Sequence, residues 1–296
     1  MGQSTDQMDN VLKVQNLSYT YPKGEIPALE NIDLEVCTGE IFGLLGPSGA
    51  GKSTLQRIVT RQIRYFQLGE VHILGRDVRR WGQSLYERVG VGFELPNHYV
   101  RLTGSENLAF FARLYTSPTR SPQELLDLVG LGDAAHKRVE DYSKGMQVRL
   151  NFARAILHDP DILFLDEPTT GLDPTTSAAL KAVISSLRDD GKTIILTTHN
   201  MHDADELCDR VGFISNGKLT ALDSPQNLKE LHGKRLVEVT MQDGRVAQFP
   251  LDGIGDDKDF LDHLQSGPVR SIHSLEASLD QVFAIVTGAD LHKGQK

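Results

Sequence analysis

The chain has little cysteine: Cys37 and Cys208 are the only two among 296 residues. Two are too few for a disulfide framework, and neither has a second metal-type ligand at motif spacing, so both are expected to be buried thiols in a reducing cytoplasm. Long apolar runs are missing as well. No stretch approaches the roughly 20 uninterrupted apolar residues of a membrane-spanning helix, and the mean hydropathy is -0.28. The first residues carry Asp6 and Asp9 and no basic segment followed by an apolar one, so no secretory signal is expected. Asp6 also breaks the myristoylation pattern that Gly2 would open. Basic residues are outnumbered, 31 Lys and Arg against 40 Asp and Glu, for a formal charge of -9. That balance argues against broad attachment to nucleic acid or anionic lipid.

What is present suits a soluble globular chain. Hydrophobic residues make up 39% and charged residues 24%, which rules out collagen, coiled-coil rod and wholly disordered readings. The length exceeds one ordinary core of about 150 residues and falls short of two full domains with linkers, predicting one large domain with an appendage.

From Val11 the pattern is of short strands and turns. Leu12 to Leu17 and Leu29 to Val36 flank a Tyr21-Pro22-Lys23-Gly24 turn and read as an antiparallel flap. Ile41 to Leu45 is a near-continuous apolar run, as in a strand buried on both faces of a parallel sheet. From about Pro96 to Asp141 the spacing becomes helical. One helix opens at Thr103 with Glu106 as a capping box and carries Leu108, Phe111 and Tyr115, and another begins around Leu125 and ends at Gly130 and Gly132. Ile162 to Leu165 and Thr193 to Thr197 are again strand-like, with a helix of about Thr176 to Arg188 between them, which makes a βαβ crossover. After His232 come strand-like stretches Leu236 to Met241 and Arg245 to Pro250, then Asp256-Asp257 and two helices, with Lys293 to Lys296 frayed.

Gly46-Pro47-Ser48-Gly49-Ala50-Gly51-Lys52-Ser53 fits G-x-x-x-x-G-K-[ST], after an apolar strand and before a helix-like run from Thr54 to Arg64. Glycines let successive N–H groups wrap a phosphate, the helix N-terminus adds positive potential, Lys52 reaches the β and γ oxygens and Ser53 ligates Mg²⁺. A glycine turn with an incidental lysine is the bland alternative, and the strand and helix on either side disfavour it. A nucleoside triphosphate held there needs a second magnesium contact and a group to orient water. Asp166-Glu167, at the end of a buried strand, supplies both types. Thr197-Thr198-His199 ends the next strand, so polar endings at Gly46, Asp166 and His199 gather at the carboxyl edge of one parallel sheet. Ser143 in Tyr142-Ser143-Lys144-Gly145-Met146 opens an amphipathic run and is either a helix cap alone or part of a phosphate-binding helix start.

With these elements in order, residues from about Val11 to Leu231 resemble the ATP-binding subunits of ABC transporters, and the Tyr-Ser-Lys-Gly-Met signature resembles that of ABC-2 type exporter ATPases. The resemblance implies an α/β fold: a P-loop NTPase (RecA-like) parallel-sheet core with an antiparallel β flap and an inserted helical subdomain at about 96–150. Residues 232–296 would form a small α+β C-terminal module beside a cassette of residues 1–231. It further implies ATP and Mg²⁺ as cofactors. Gly46 to Thr54, including Ala50 and Gly51, would hold the phosphates, with Lys52 also catalytic. Asp166 and Ser53 would hold Mg²⁺, Glu167 would be the general base, His199 the switch histidine, and Tyr21 would stack on adenine. Ser143 and Gly145 would contact the γ-phosphate bound by the opposite subunit, and Gly171 to Pro174 would be the D-loop.

Two departures stand out. Glu94 occupies the position of the Q-loop glutamine, where a carboxylate still ligates Mg²⁺ but adds negative charge beside the phosphates. Arg61 and Arg64 replace a small-residue turn. Leu275 to Phe283, then Thr287-Gly288, resembles the closing motif of multidrug or polysaccharide export ATPases, while the same pattern serves equally as an amphipathic docking helix. The expected function is ATP hydrolysis powering export. The chain would form a head-to-tail homodimer or pseudo-dimer around the nucleotides, act with a separate transmembrane permease seated near Glu94 to Arg101, and lie peripherally on the inner face of the cell membrane. No nucleic-acid partner is expected. The rival readings are a non-transport ABC ATPase acting as a mechanical switch and a P-loop small-molecule kinase.

Overall fold

Apolar and polar side chains alternate through residues 10–37, and in the computed structural model they form strands β1 (Asn10–Tyr19) and β2 (Leu29–Cys37), paired antiparallel. The structure describes residues 10–94 and 97–288. The expectations for the first nine residues, for the start of the helical insert at Pro96 and for fraying at Lys293 to Lys296 fall outside them. The turn expected after Tyr21 is present: Gly24 N–H donates to the Tyr21 carbonyl at 2.9 Å.

Strand β3 (Ile41–Leu45) follows, buried at every position, and leads into helix α1 (Lys52–Val59). This helix was expected to reach Arg64 and stops earlier. The Thr60 hydroxyl bonds back to the Gln56 carbonyl at 2.7 Å, and Arg61 turns into the left-handed region with φ of 60°. Strands β4 (Leu68–Ile73) and β5 (Arg76–Asp77) complete a four-stranded sheet of order β2-β1-β4-β5. Cys208 is buried as expected, but Cys37 is only partly so, because it ends the edge strand β2.

After β6 (Val89–Gly92) come the helices α2 (Gly104–Ala112), α3 (Pro122–Leu128) and α4 (Lys144–Ala155). The capping box at α2 is formed: Glu106 N–H donates to Thr103 Oγ1 at 3.1 Å and Thr103 N–H to Glu106 Oε2 at 2.8 Å. Tyr115 lies past the end of α2 instead of on it, and its ring stacks on His158 at 4.1 Å. The second helix of the insert starts at Pro122, ahead of Leu125, since a proline in the first turn forfeits no hydrogen bond.

The chain then runs through β7 (Ile162–Asp166), α5 (Pro174–Asp189), β8 (Thr193–Thr198), α6 (Met201–Leu207), β9 (Arg210–Ser215) and β10 (Lys218–Asp223). The central six-stranded sheet has the order β10-β9-β3-β8-β7-β6, with β9, β3, β8, β7 and β6 parallel throughout. Leu55, Ile58 and Val59 of α1 join Phe42, Phe164 and Ile195 of this sheet and Leu12, Leu34 and Val36 of the flap in one buried cluster. Burial of each such side chain contributes roughly 1.5–3 kcal/mol.

The chain divides into two compact units between Leu222 and Asp223, earlier than the expected boundary at residue 231. The second unit holds α7 (Pro225–His232), β11 (Leu236–Met241), β12 (Val246–Pro250), α8 (Lys258–Gln265), β13 (Val269–Leu275) and α9 (Leu279–Thr287). Its antiparallel sheet has the order β12-β11-β13. Strand β13 was not expected between the two helices. It is an edge strand with no fully buried residue, so its sequence lacks the apolar alternation that marks a strand. Val237, Val239, Met241 and Phe249 form a separate small core. Thr103→Ala should remove the α2 capping box and lower stability by about 1 kcal/mol, read as a reduced urea midpoint at unchanged slope.

Candidate active site

The phosphate-type loop begins where β3 ends, and its glycines are dictated by close approach. A Cβ on Gly46 would lie 2.1 Å from the Ile214 carbonyl oxygen of β9, so no larger residue fits without moving the strand. Gly51 has φ of 115°, and a Cβ there would meet the Ala28 carbonyl oxygen at 2.7 Å. Ala50 ties the loop down: its N–H donates to the Pro47 carbonyl at 3.2 Å and its carbonyl accepts from Gly217 N–H at 2.9 Å. The backbone N–H groups of Gly49, Gly51, Lys52, Ser53 and Thr54 find no acceptor among the described residues. Five such donors at the start of a helix suit an anion. Ser48 and Gly49 are exposed at its rim.

Lys52 donates to the carbonyls of Gly46 at 2.7 Å and Pro47 at 3.1 Å, so its ammonium is folded over the loop. Burial pushes its pKa down, while Glu167, Asp166 and Glu94 push it back up. Tyr21 sits beside the same helix start. Its hydroxyl is 3.2 Å from Thr54 Oγ1, and its ring meets Tyr19 edge-on at 5.0 Å.

Parallel pairing places the other candidates next to this loop, because β8 lies between β3 and β7. Asp166 faces Thr197 across the ladder and accepts from its hydroxyl. Burial raises the Asp166 pKa, the Thr197 hydroxyl lowers it, and the neighbouring Glu167 raises it again. Glu167 takes the left-handed conformation with φ of 49°, a strain that non-glycine residues adopt mainly at functional turns. Its Oε1 accepts from His199 Nδ1 at 2.7 Å and from His199 N–H at 2.9 Å. Its Oε2 accepts from the hydroxyls of Thr198 and Thr170, each at 3.0 Å. The carboxylate is thus held in one orientation by groups from the end of β8 and from its own turn. The Thr170 hydroxyl had no signal in the sequence, since a threonine in a polar turn is common.

Glu94 borders a small cleft with Phe93, Asn151, Asp166 and Glu167, and the Asn151 amide holds the Phe93 carbonyl at 2.8 Å. Ser143 caps α4, accepting from Met146 N–H at 3.2 Å. A Cβ on Gly145 would contact Leu172 at 3.3 Å, so the signature segment packs on the turn that precedes α5. Asp173 caps that helix through Thr176 N–H at 3.0 Å. Among the described residues no hydrogen bond joins Ser143 or Gly145 to residues 46–54 of the same chain. The structure therefore brings Lys52, Asp166, Glu167, His199 and Glu94 into one locus and leaves Ser143 and Gly145 outside its hydrogen bonding.

A phosphate-type loop, acidic strand end and histidine strand end on one parallel sheet define a P-loop nucleotide-binding fold. The ABC transporter family model matches residues 29–170, and the fluoroquinolone efflux ABC transporter C-terminal domain model matches residues 235–276. A fluoroquinolones export ATP-binding protein of Mycobacterium tuberculosis is 50% identical over 285 residues, covering 95% of this chain and 94% of the relative. The bacitracin transport ATP-binding protein BcrA of Enterococcus faecalis is 34% identical, covering 93% of this chain and 88% of the relative. Among solved structures, a dimeric post-hydrolysis state of the ATP-binding cassette MJ0796 bound to ADP and Pi is similar. It has 28% identity and a TM-score of 0.66 and covers 72% of this chain and 98% of that one. The chain belongs to the ABC transporter family, as an ATP-binding and ATP-hydrolysing subunit. No helix of the described residues is long and apolar enough to cross a membrane.

Gly46→Ala should displace the loop from β9 and abolish tight nucleotide binding. A fluorescent ATP analogue should then titrate with an affinity at least about tenfold weaker, whereas Gly39→Ala, in the open turn at the other end of β3, should leave binding unchanged.

Proposed function

We propose that this chain powers drug export through a separate transmembrane permease, with Glu167 as general base. The observation that carries the reading is the Glu167 carboxylate, fixed by His199, Thr198 and Thr170 beside the phosphate-type loop. In this reading residues 46–54 hold the triphosphate, Lys52 exchanges its carbonyl partners for phosphate oxygens, and Tyr21 stacks on the adenine. Glu167 takes the proton of the attacking water, and His199 holds Glu167 and senses the γ-phosphate.

Charge supports a divalent cation at the site. Glu94, Asp166 and Glu167 set three carboxylates against Lys52, and a triphosphate adds further negative charge. No cluster of three or more His, Cys, Asp or Glu side chains among the described residues could hold a metal by itself, so the cation's remaining ligands would come from phosphate and water. Asp166 fits this role, being a half-buried carboxylate with a raised pKa that a cation would relieve. We assign Ser53 and Asp166 as the protein ligands of Mg²⁺, which neutralises phosphate charge, with Glu94 close enough to take part.

Ser143 and Gly145 complete the site of a second copy in a head-to-tail homodimer. Their lack of hydrogen bonds to the loop of their own chain supports this, as does the dimeric form of the MJ0796 neighbour. The permease segment would seat in a groove of about 940 Å³ lined by Val91, Phe93, Tyr99, Phe111, Tyr115 and Arg154. Residues 95 and 96 of the expected docking stretch lie outside the described residues. Relatives named for fluoroquinolone and bacitracin transport support an amphiphilic antimicrobial as cargo, and the match of the C-terminal model favours fluoroquinolones. The protein would then work at the inner face of the cell membrane, as a cassette followed by a C-terminal module that begins at Asp223.

Glu167→Gln should keep ATP binding, slow hydrolysis at least about a hundredfold and accumulate an ATP-bound dimer on size exclusion. Full turnover in that variant would remove Glu167 from the role. Cells expressing the chain with its permease should retain less of a fluorescent fluoroquinolone than cells expressing the Glu167→Gln chain.

A further inference from the structure

Behind the Glu167 and His199 pair lies a buried polar cluster that the family motifs do not include. Asp203 on α6 is 7% exposed, Lys181 on α5 is 9% and Thr169, in the turn after Glu167, is 8%. Asp203 Oδ2 accepts from the Thr169 hydroxyl at 2.6 Å and from the Asn200 amide at 2.9 Å. Its Oδ1 accepts from Lys181 Nζ at 3.1 Å, and Lys181 also pairs with Glu206. Asn200 in turn caps α6, its Oδ1 accepting from the N–H groups of His202 and Asp203 at 3.1 and 3.2 Å, and its own N–H donates to Thr198 Oγ1 at 2.9 Å. Thr198 Oγ1 donates to Glu167.

These bonds close a ring. It runs from Glu167 along the chain to Thr169, across to Asp203, through Asn200 to Thr198, and back to the Glu167 carboxylate. One buried carboxylate therefore joins the turn that holds the base, the segment that holds His199, and, through Lys181, the helix that starts at the Asp173 turn. A buried ion pair is a poor source of net stability, because desolvating two charges offsets much of their attraction. Its directional bonds, however, fix the relative position of the elements it joins.

We propose that Asp203 and Thr169 are positioning residues for ATP hydrolysis, holding the Glu167 turn in register with the His199 segment. The proposal rests on the assignment of Glu167 as base. Neither residue touches the nucleotide site, so their loss acts on the chemical step: a base displaced by a fraction of an ångström from its water loses rate, while the loop of residues 46–54 still binds.

Thr169→Val keeps shape and burial but deletes the hydroxyl donor. In the full chain it should lower kcat about tenfold or more with KM and the dissociation constant for a fluorescent ATP analogue within about twofold, and Thr169→Ser should restore kcat. Asp203→Asn should show the same split between kcat and KM. Asp203→Ala leaves Lys181 with an uncompensated buried charge on one side and risks misfolding, so the threonine pair is the primary test. In the Glu167→Gln background, Thr169→Val should not slow the residual rate further, because the group it positions is already gone. Unchanged kcat in Thr169→Val, an equal loss in Thr169→Ser, or a parallel rise in KM would overturn the proposal. Full activity of Glu167→Gln alone would instead overturn the assignment of the base, and the two failures are distinct because they read different variants.

Discussion

The parallel pairing of β8 with β3 on one side and β7 on the other is the constraint on which the site depends. In a parallel sheet every strand leaves at the same edge, so the segments after Leu45, Asp166 and Thr198 must emerge side by side. Register matters as much as order. Asp166 lies opposite Thr197, and that hydroxyl is the partner that lets a half-buried carboxylate stand next to Glu167. A slip of one residue would turn Asp166 to the other face of the sheet and leave it without this donor. The apolar runs of β3, β7 and β8, buried on both faces, hold the register because any slip exposes or crowds core side chains.

In the resting site the charged side chains of Lys52 and Glu167 have internal partners, while N–H groups of the loop do not. Lys52 is bonded to the carbonyls of Gly46 and Pro47, and Glu167 to His199 and two hydroxyls. With Lys52 in its proposed role, nucleotide binding would be an exchange, in which phosphate oxygens replace loop carbonyls as acceptors for the ammonium. The net gain comes from the backbone N–H groups that have no internal partner and from the helix start behind them. The same holds for Glu167 in its proposed role as base: an attacking water would compete with His199 for one oxygen, so the position of the histidine segment would set how strongly the base is held back.

The groups proposed to meet the ligand were legible in the sequence because they sit where backbone geometry restricts the residue. Gly46 under the Ile214 carbonyl and Gly51 at positive φ leave almost no other choice, and Asp166 and His199 stand directly after apolar runs that mark strand ends. Capping was legible for the same reason, as at Thr103 with Glu106. What escaped was set by geometry that leaves no mark on the local sequence pattern. Helix α1 ends at Val59 because of a back-bonded Thr60 and the left-handed Arg61, neither of which carries a helix-stop signal such as glycine. Strand β13 has a polar, exposed composition and exists through its pairing with β11. Tyr115 continues a helical spacing beyond the helix that bears it, and its burial against His158 produces the same apolar preference by another route.

Asp203 shows the limit most directly. Thr169 and Asp203 are 34 residues apart, and each is locally ordinary: a threonine in a turn, an acidic residue in the first turn of a helix. The first-turn position alone accounts for an aspartate there, and an exposed location would satisfy it fully. Burial is what changes the meaning, since a carboxylate withdrawn from water must find donors, and the ones it finds come from three separate elements. The residues proposed to perform chemistry in this chain are thus set by the path of the backbone, whereas those proposed to align them are set by how the helices pack on the sheet.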